Sequence, residues 1–245
     1  MMIARSTNNG LLAELAETGP IRTAVAMVVA HQDDETIAAG GTIARMLDLT
    51  LIHITDGAPL DLAISQAHGF ETRAAYSEAR ALELEAALTA ACARPVRRLC
   101  YAVPDGEVAG HFDEIVERLA ADLMPAEAVI THPYEGGHVD HDACARAVHM
   151  AVAILQNIMG RSPTVFEFAS YYLQHGIVRA GLFWPEAGSP EVEIRLSSTA
   201  LCRREAAFHC FKSQSGNLGY FSLDTERFRR APAYDFSLPP PPRRR

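Results

Sequence analysis

Three short polar clusters carry the chemistry that this chain's residue types permit. HQDDE (31–35) holds a histidine and three acids, PDG (104–106) holds one acid, and HVDH (138–141) holds two histidines and an acid. His31, Asp34 and His141 together offer two imidazoles and a carboxylate. That donor set suits a divalent transition metal with open coordination positions, most simply zinc with an activated water. Asp33 is left beside the set as a carboxylate placed to take a proton from that water. His138, if protonated, would stabilise an oxyanion or protonate a leaving amine. Metal and base together describe hydrolysis at a carbonyl. The plainer reading is that the acids cap a helix, each stabilising it by ~0.3–1 kcal/mol. One acid suffices for that, and capping leaves both distal histidines unexplained.

These clusters are far apart in sequence, so the fold has to bring them together. Residues 23–30 are apolar and valine-rich, as expected of a strand buried in the middle of a parallel sheet. The pattern predicts further strands at 51–55, 96–101 and 128–131. Helices are expected at 11–17, 36–47, 71–93, 112–123 and 143–159. Such alternation implies an α/β fold, a doubly wound and mostly parallel sheet with helices on both faces. In sheets of that kind ligands bind outside the carboxyl ends of the strands, which is where all three clusters fall. The C-terminal part is less regular, with strands expected at 164–172 and 191–196 and a helix at 199–211. The simplest organisation is one domain over 1–238 and a disordered Pro/Arg tail over 239–245.

Composition narrows the partners. The chain has 245 residues, 49% of them hydrophobic, and a formal net charge of −8, which argues against nucleic acid as a partner. No run approaches a membrane span, no signal peptide is visible, and five cysteines without a Cys-x-x-Cys pair fit a reducing compartment. A cytoplasmic protein is expected. Oligomeric state is left open, a homo-oligomer included.

AHQDDE (30–35) resembles the [AP]-H-P-D-D-E motif of the PIG-L (LmbE-like) de-N-acetylase family, and HVDH resembles its later H-P-D-H motif. PDGE (104–107) and Thr55-Asp56-Gly57 are similar to stretches at corresponding places there. The resemblance covers roughly residues 23–150 and implies a Rossmann-like fold. The activity it implies is zinc-dependent removal of an N-acetyl group from an amino-sugar substrate, either a small molecule or lipid-linked. It further implies that His31, Asp34 and His141 hold Zn²⁺, with Fe²⁺ or another divalent ion as an alternative. Asp33 is then the general base, His138 the oxyanion stabiliser or acid, and Asp140 the residue that orients a histidine through its other nitrogen. For substrate contacts the resemblance points to Arg80 or the competing Arg73, to Asp105, and to Tyr134 with Glu135 in the loop before HVDH. Gln32 and Val139 replace the prolines of the two motifs and remove neither a ligand nor the base. FKSQSGNLGYFSLDTERFR (211–229) is similar to sequences of some bacterial members, without an assigned role.

Three other histidine and cysteine positions have plainer expectations. His132 follows the fourth strand and is balanced between site and core. His53 is expected to be a satisfied sheet histidine, and Cys144 a small packing residue. The competing functions are a non-haem iron oxygenase using His31, Asp33 and His141, a receiver-type Mg²⁺ site, and a non-catalytic sugar-binding relative. The oxygenase reading needs a β-rich jelly roll, and the Mg²⁺ reading does not use the histidines.

Overall fold

The computed structural model describes residues 10–185 and 189–241. In chain order the elements are α1 (Gly10–Ala16), β1 (Val25–Val29), α2 (Asp34–Ala39), β2 (Leu49–Pro59), α3 (Leu62–Ala67) and α4 (Arg73–Ala90). Then come β3 (Arg97–Asp105), α5 (Phe112–Asp122), β4 (Ala128–Thr131), α6 (Val139–Met159), β5 (Thr164–Phe168), β6 (Tyr171–Gln174) and β7 (Ile177–Ala180). The last are β8 (Glu191–Arg195), α7 (Ser198–Phe208), α8 (Ser215–Leu218) and β9 (Thr225–Arg230).

A seven-stranded sheet in the order β3-β2-β1-β4-β5-β9-β8 forms the centre. Strands β1 to β5 within it are parallel, while β9 runs antiparallel to both β5 and β8. Strand alternation divides the core into two layers. Val25, Met27, Val29, Leu49 and Leu51 pack against α1, α2, α4 and α7 on one face. Ala26, Val28, Ile52 and Ile54 pack against α5 and α6 on the other. Cys144 belongs to the second layer, fully buried. Because β1 is flanked by β2 on one side and β4 on the other, strand order reverses at β1. The crevice beyond the carboxyl ends of β1 and β4 is the switch point, where α/β sheets bind ligands.

Several boundaries differ from the expected ones. The helix expected over 36–47 stops at Ala39, because Gly40-Gly41 turn the chain sharply under Leu196 and the Gly41 N–H donates to Glu226 Oε1 at 2.7 Å. Helix α6 begins at Val139 rather than 143, which makes His138 its N-cap. The strand expected over 164–172 divides into β5 and a separate β6–β7 ribbon. Strand β9 was not anticipated, since TERFRR reads as solvent-facing. Two of its charges are instead buried in ion pairs: Arg229 with Glu167 (2.8 Å) and Glu135 (2.7 Å), and Glu226 with Arg204 (3.7 Å).

Arg229 also donates to the Trp184 carbonyl at 3.1 Å, so one guanidinium ties β5, β9 and two loops together. Replacing it strands two buried carboxylates. Arg229→Met is expected to destabilise the fold by about 3–5 kcal/mol, read as a lower urea midpoint at unchanged slope. An unchanged midpoint would mean that Glu135 and Glu167 do not need this cation.

At the end of the described chain, the Tyr134 hydroxyl donates to the Leu238 carbonyl (2.9 Å) and Pro241 lies against Gly136. Of the tail expected over 239–245, residues 242–245 lie outside the described residues. No helix among the described residues is long and apolar enough to cross a membrane.

Candidate active site

The turn after β1 folds Asp34 back under His31, whose backbone N–H donates to Asp34 Oδ2 at 2.7 Å. From there the Asp34 carboxylate meets three imidazoles. His31 Nδ1 is 3.4 Å from Oδ2, His132 Nε2 is 3.3 Å from Oδ2, and His141 Nε2 is 3.3 Å from Oδ1. Burial opposes charge on Asp34, but the neighbouring His141 holds its carboxyl well below the usual range. His31 Nε2 points the other way, 3.0 Å from Asp105 Oδ1 and 3.2 Å from Asp140 Oδ2. Burial disfavours a proton on His31. Asp105, Asp140 and Asp34 overcome it and raise its pKa well above the ordinary value.

This arrangement fits a divalent cation. A proton on His31 Nε2 shared with two carboxylates leaves the Nδ1 lone pair facing Asp34 and orients the ring, as outer partners of metal-bound histidines do. The two Asp34 oxygens reach the two imidazoles separately, Oδ2 at 3.4 Å from His31 Nδ1 and Oδ1 at 3.3 Å from His141 Nε2, so the carboxylate sits between them. Donor atoms of His31, His138 and His141 lie within 4.8 Å of one another, as do those of Asp34, His132 and His141. The expected ligand set of His31, Asp34 and His141 straddles these two groups. Asp33, the ligand required by the oxygenase reading, is in neither, and a mostly parallel sheet is not that reading's scaffold.

His132 is fully buried beneath the site. Its ring stacks on His141 at 3.9 Å, and its Nε2 accepts the Ala30 N–H at 3.0 Å. Burial pushes its pKa down to about 3, so it is a neutral support. His53 pairs with the buried Glu35 at 3.1 Å, and the same Glu35 Oε2 accepts the Asp33 N–H at 3.1 Å. The expected sheet histidine therefore braces the turn that carries Asp33.

A pocket of about 350 Å³ opens above these residues. Asp33 reaches it, its pKa raised to about 7 by burial against the pull of Arg80, whose Nη2 is 3.5 Å from Asp33 Oδ1. Arg80 is only 2% exposed, and its Nε and Nη1 have no hydrogen-bond partner. Arg73, the alternative, is spent on a bidentate pair with Asp56 and lies outside the pocket lining. Asp105 lines the pocket, its pKa lowered to about 2, since the bond to His31 outweighs the effect of burial. His138 lines it too. Its Nδ1 accepts the Asp140 N–H at 3.2 Å, which puts the ring proton on Nε2. Burial and the neighbouring charges of His31 and His141 lower its pKa to about 4. Asp140 is held by the Gly106 and Val108 N–H groups at 2.6 and 3.2 Å.

Tyr134 is not brought into the pocket. It packs on Phe236, and Glu135 is locked to Arg229. Sequence reasoning instead missed Tyr171, Val178, Gln214, Leu218, Tyr220 and Phe221, which form the opposite wall. A Cβ at Gly137 would overlap the Tyr171 carbonyl, so glycine there lets the loop before His138 close onto β6. The only prior signal was the 211–229 stretch, which supplies four of these six residues.

Residues 26–152 match the family PIG-L, described as GlcNAc-PI de-N-acetylase. The chain belongs to the PIG-L family. A curated member, the probable N-acetyl-alpha-D-glucosaminyl L-malate deacetylase 2 of Bacillus anthracis, is 27% identical over 154 residues. That alignment spans 59% of this chain and 65% of the relative. Among solved structures, teicoplanin deacetylase Orf2 in a zinc-inhibited form superposes with a TM-score of 0.61 at 14% identity, covering 86% of this chain and 99% of that one. The 4-carboxy-2-hydroxymuconate hydratase GalB of Pseudomonas putida KT2440 superposes at 0.63 and 17% identity, covering 88% and 98%. PIG-L members thus share their fold with a hydratase as well as a deacetylase, so the reaction has to be argued from the site.

Proposed function

We propose that this protein is a cytoplasmic, zinc-dependent hydrolase that removes an N-acetyl group from an amino-sugar substrate, small-molecule or lipid-linked. The observation that carries the reading is Asp33. It is a buried carboxylate whose one ion-pair partner among the described residues is Arg80, next to the Asp34-centred imidazole cluster on a sugar-sized pocket. Family membership and the curated deacetylase favour this over the hydratase chemistry of the structural neighbour.

His31, Asp34 and His141 would hold a divalent ion, which when bound would supply Lewis acidity and lower the pKa of water, and Fe²⁺ would suit the same donors as Zn²⁺. Asp33 takes the proton from the water that attacks the acetyl carbonyl. His138, neutral and carrying its proton on Nε2, donates a hydrogen bond to the carbonyl oxygen as negative charge develops there. Its lowered pKa favours the oxyanion-stabilising role, the first of the two expected for it. The proton on Asp33 then passes to the amine as the C–N bond breaks, giving acetate and the free amino sugar. Arg80 favours the ionised form of Asp33 against burial, and its Nε and Nη1, without partners among the described residues, are positioned with Asp105 for sugar hydroxyls. Asp140 orients His31.

The test is acetate release from N-acetylglucosamine compounds by protein of known metal content, before and after chelation. Loss of acetate on chelation and recovery on adding back Zn²⁺ or Fe²⁺ is expected. Acetate release indifferent to chelation would overturn the metal assignment, and hydration of an enol acid without acetate release would replace the reaction. The rate is also expected to fall on the acid side. Asp33 acts only when ionised, so kcat/KM drops as pH falls through its pKa, at or below about 7 because a bound cation adds to the pull of Arg80. A kcat/KM flat from about pH 8 down to about pH 5 would remove Asp33 as the base.

A further inference from the structure

The pocket has two unlike walls. Its ionisable chemistry (His31, Asp33, Asp34, Arg80, Asp105 and their histidine neighbours) lies at the ends of β1, β3 and β4 and on α4. The facing wall comes from the β6–β7 ribbon and the α8 segment, and among the described lining residues it carries no charge.

The ribbon's register shows how that apolar wall continues outward. Tyr171 pairs with Ala180 and Leu173 with Val178. Alternate residues of a strand share a face, so these four side chains lie on one side of the ribbon. Tyr171 is its inner end, with its ring 5.4 Å from that of His141. Tyr172, on the other side, packs against Trp184 at 5.3 Å. The face that meets the catalytic cluster through Tyr171 therefore runs on through the Leu173–Val178 pair toward the turn at His175-Gly176. Leu173 is 42% exposed, Val178 38% and Tyr220 65%. Leu218, Tyr220 and Phe221 line the pocket together with Val178. An apolar strip thus starts at the reacting centre and ends in solvent.

We propose that the substrate carries an apolar group of about aromatic size next to its N-acetylated sugar, and that Val178, Leu218, Tyr220 and Phe221 receive it. The inference rests on the deacetylase reading and extends it to substrate class. A sugar offers hydroxyls to Asp33, Asp105 and Arg80, whereas the side chains of Val178, Leu218 and Phe221 have no hydrogen-bonding group to meet them. An apolar substituent would bury surface there, with Tyr220 keeping its hydroxyl in water. An anionic substituent, such as the malate in the curated relative's name, would lose hydration on this wall without a cation to receive it.

The experiment compares the methyl, 4-nitrophenyl and carboxymethyl glycosides of N-acetylglucosamine, in both anomers. Acetate release is followed with metal-loaded protein, and dissociation constants are measured by calorimetry with Asp33→Asn protein. The aryl glycoside is expected to exceed the methyl glycoside by about tenfold or more in kcat/KM and in affinity, with the carboxymethyl glycoside at or below the methyl. Val178→Asp and Tyr220→Ser, both at exposed positions, are expected to shrink the aryl-to-methyl ratio toward one. Equal values for aryl and methyl, or a preference for carboxymethyl, would overturn the proposal. Should no glycoside release acetate, the deacetylase reading fails, and the binding ratio still decides whether the strip receives apolar groups.

Discussion

Asp33→Asn protein is expected to bind about one divalent ion per chain, as the unsubstituted protein does, and to lose about 10²–10⁴-fold in kcat. The two halves of that result separate a base from a ligand. Asparagine preserves the size of the side chain but cannot accept the water's proton. The donors assigned to the metal, Asp34, His31 and His141, contact one another rather than Asp33. The turn should survive as well, because the Asp33 N–H bond to Glu35 is a backbone contact that the substitution leaves in place. KM should change little, and the acid limb of the pH profile should vanish with the carboxylate. Metal content by mass spectrometry, circular dichroism and acetate release on the same preparation make the comparison. Near-normal kcat would transfer the role to another carboxylate, with Asp105 the other non-ligand acid among the described pocket residues. Loss of the metal together with activity would make Asp33 a ligand.

The half of the site built at strand ends was legible because each of its parts leaves a local mark. A charge-free valine run followed at once by His31, Asp33 and Asp34 marks a central strand that ends in a polar cluster, and the pairing of β1 with β2 and β4 makes it central. HVDH sits at the start of a helix in the structure, with His138 as the cap. The other half was hidden because long-range pairing makes it. Strand β9 pairs its buried charges with Glu135, Glu167 and Arg204, and no sequence period announces partners 22 to 94 residues away. The wall of Tyr171, Val178 and Tyr220 faces the site only because a ribbon of four-residue strands folds across it. Arg80 could not be separated from Arg73 by spacing, since both lie on α4. Asp56 decides the matter by pairing with Arg73 and leaving Arg80 to the pocket. Tyr134 shows the reverse error, a residue near the motif in sequence that packing turns toward Phe236 and Leu238.

His141→Ala is expected to abolish stable metal binding, and activity with it, even though a second histidine lies against the first. His132 stacks on His141 at 3.9 Å and is 3.3 Å from the same Asp34 carboxylate, so on distance alone it is a replacement ligand. Its hydrogen bonding argues otherwise. The Nε2 lone pair that would face the ion already accepts the Ala30 N–H, and turning the ring to free it would leave that buried donor unsatisfied. Loss of a direct ligand should then cost more than the roughly 10–100-fold in metal affinity typical of an outer partner. Asp140→Asn supplies that comparison, since Asp140 reaches the site only through His31 Nε2. Ion-to-protein ratios after dialysis against a graded series of chelators place the three proteins in order, with unsubstituted protein holding metal longest and His141→Ala losing it first. His141→Gln controls for the space left in the stack and should behave like the alanine variant. If either His141 variant retained about one ion per chain, His132 would be a ligand after all, with Asp34, His132 and the remaining imidazoles as the true donor set.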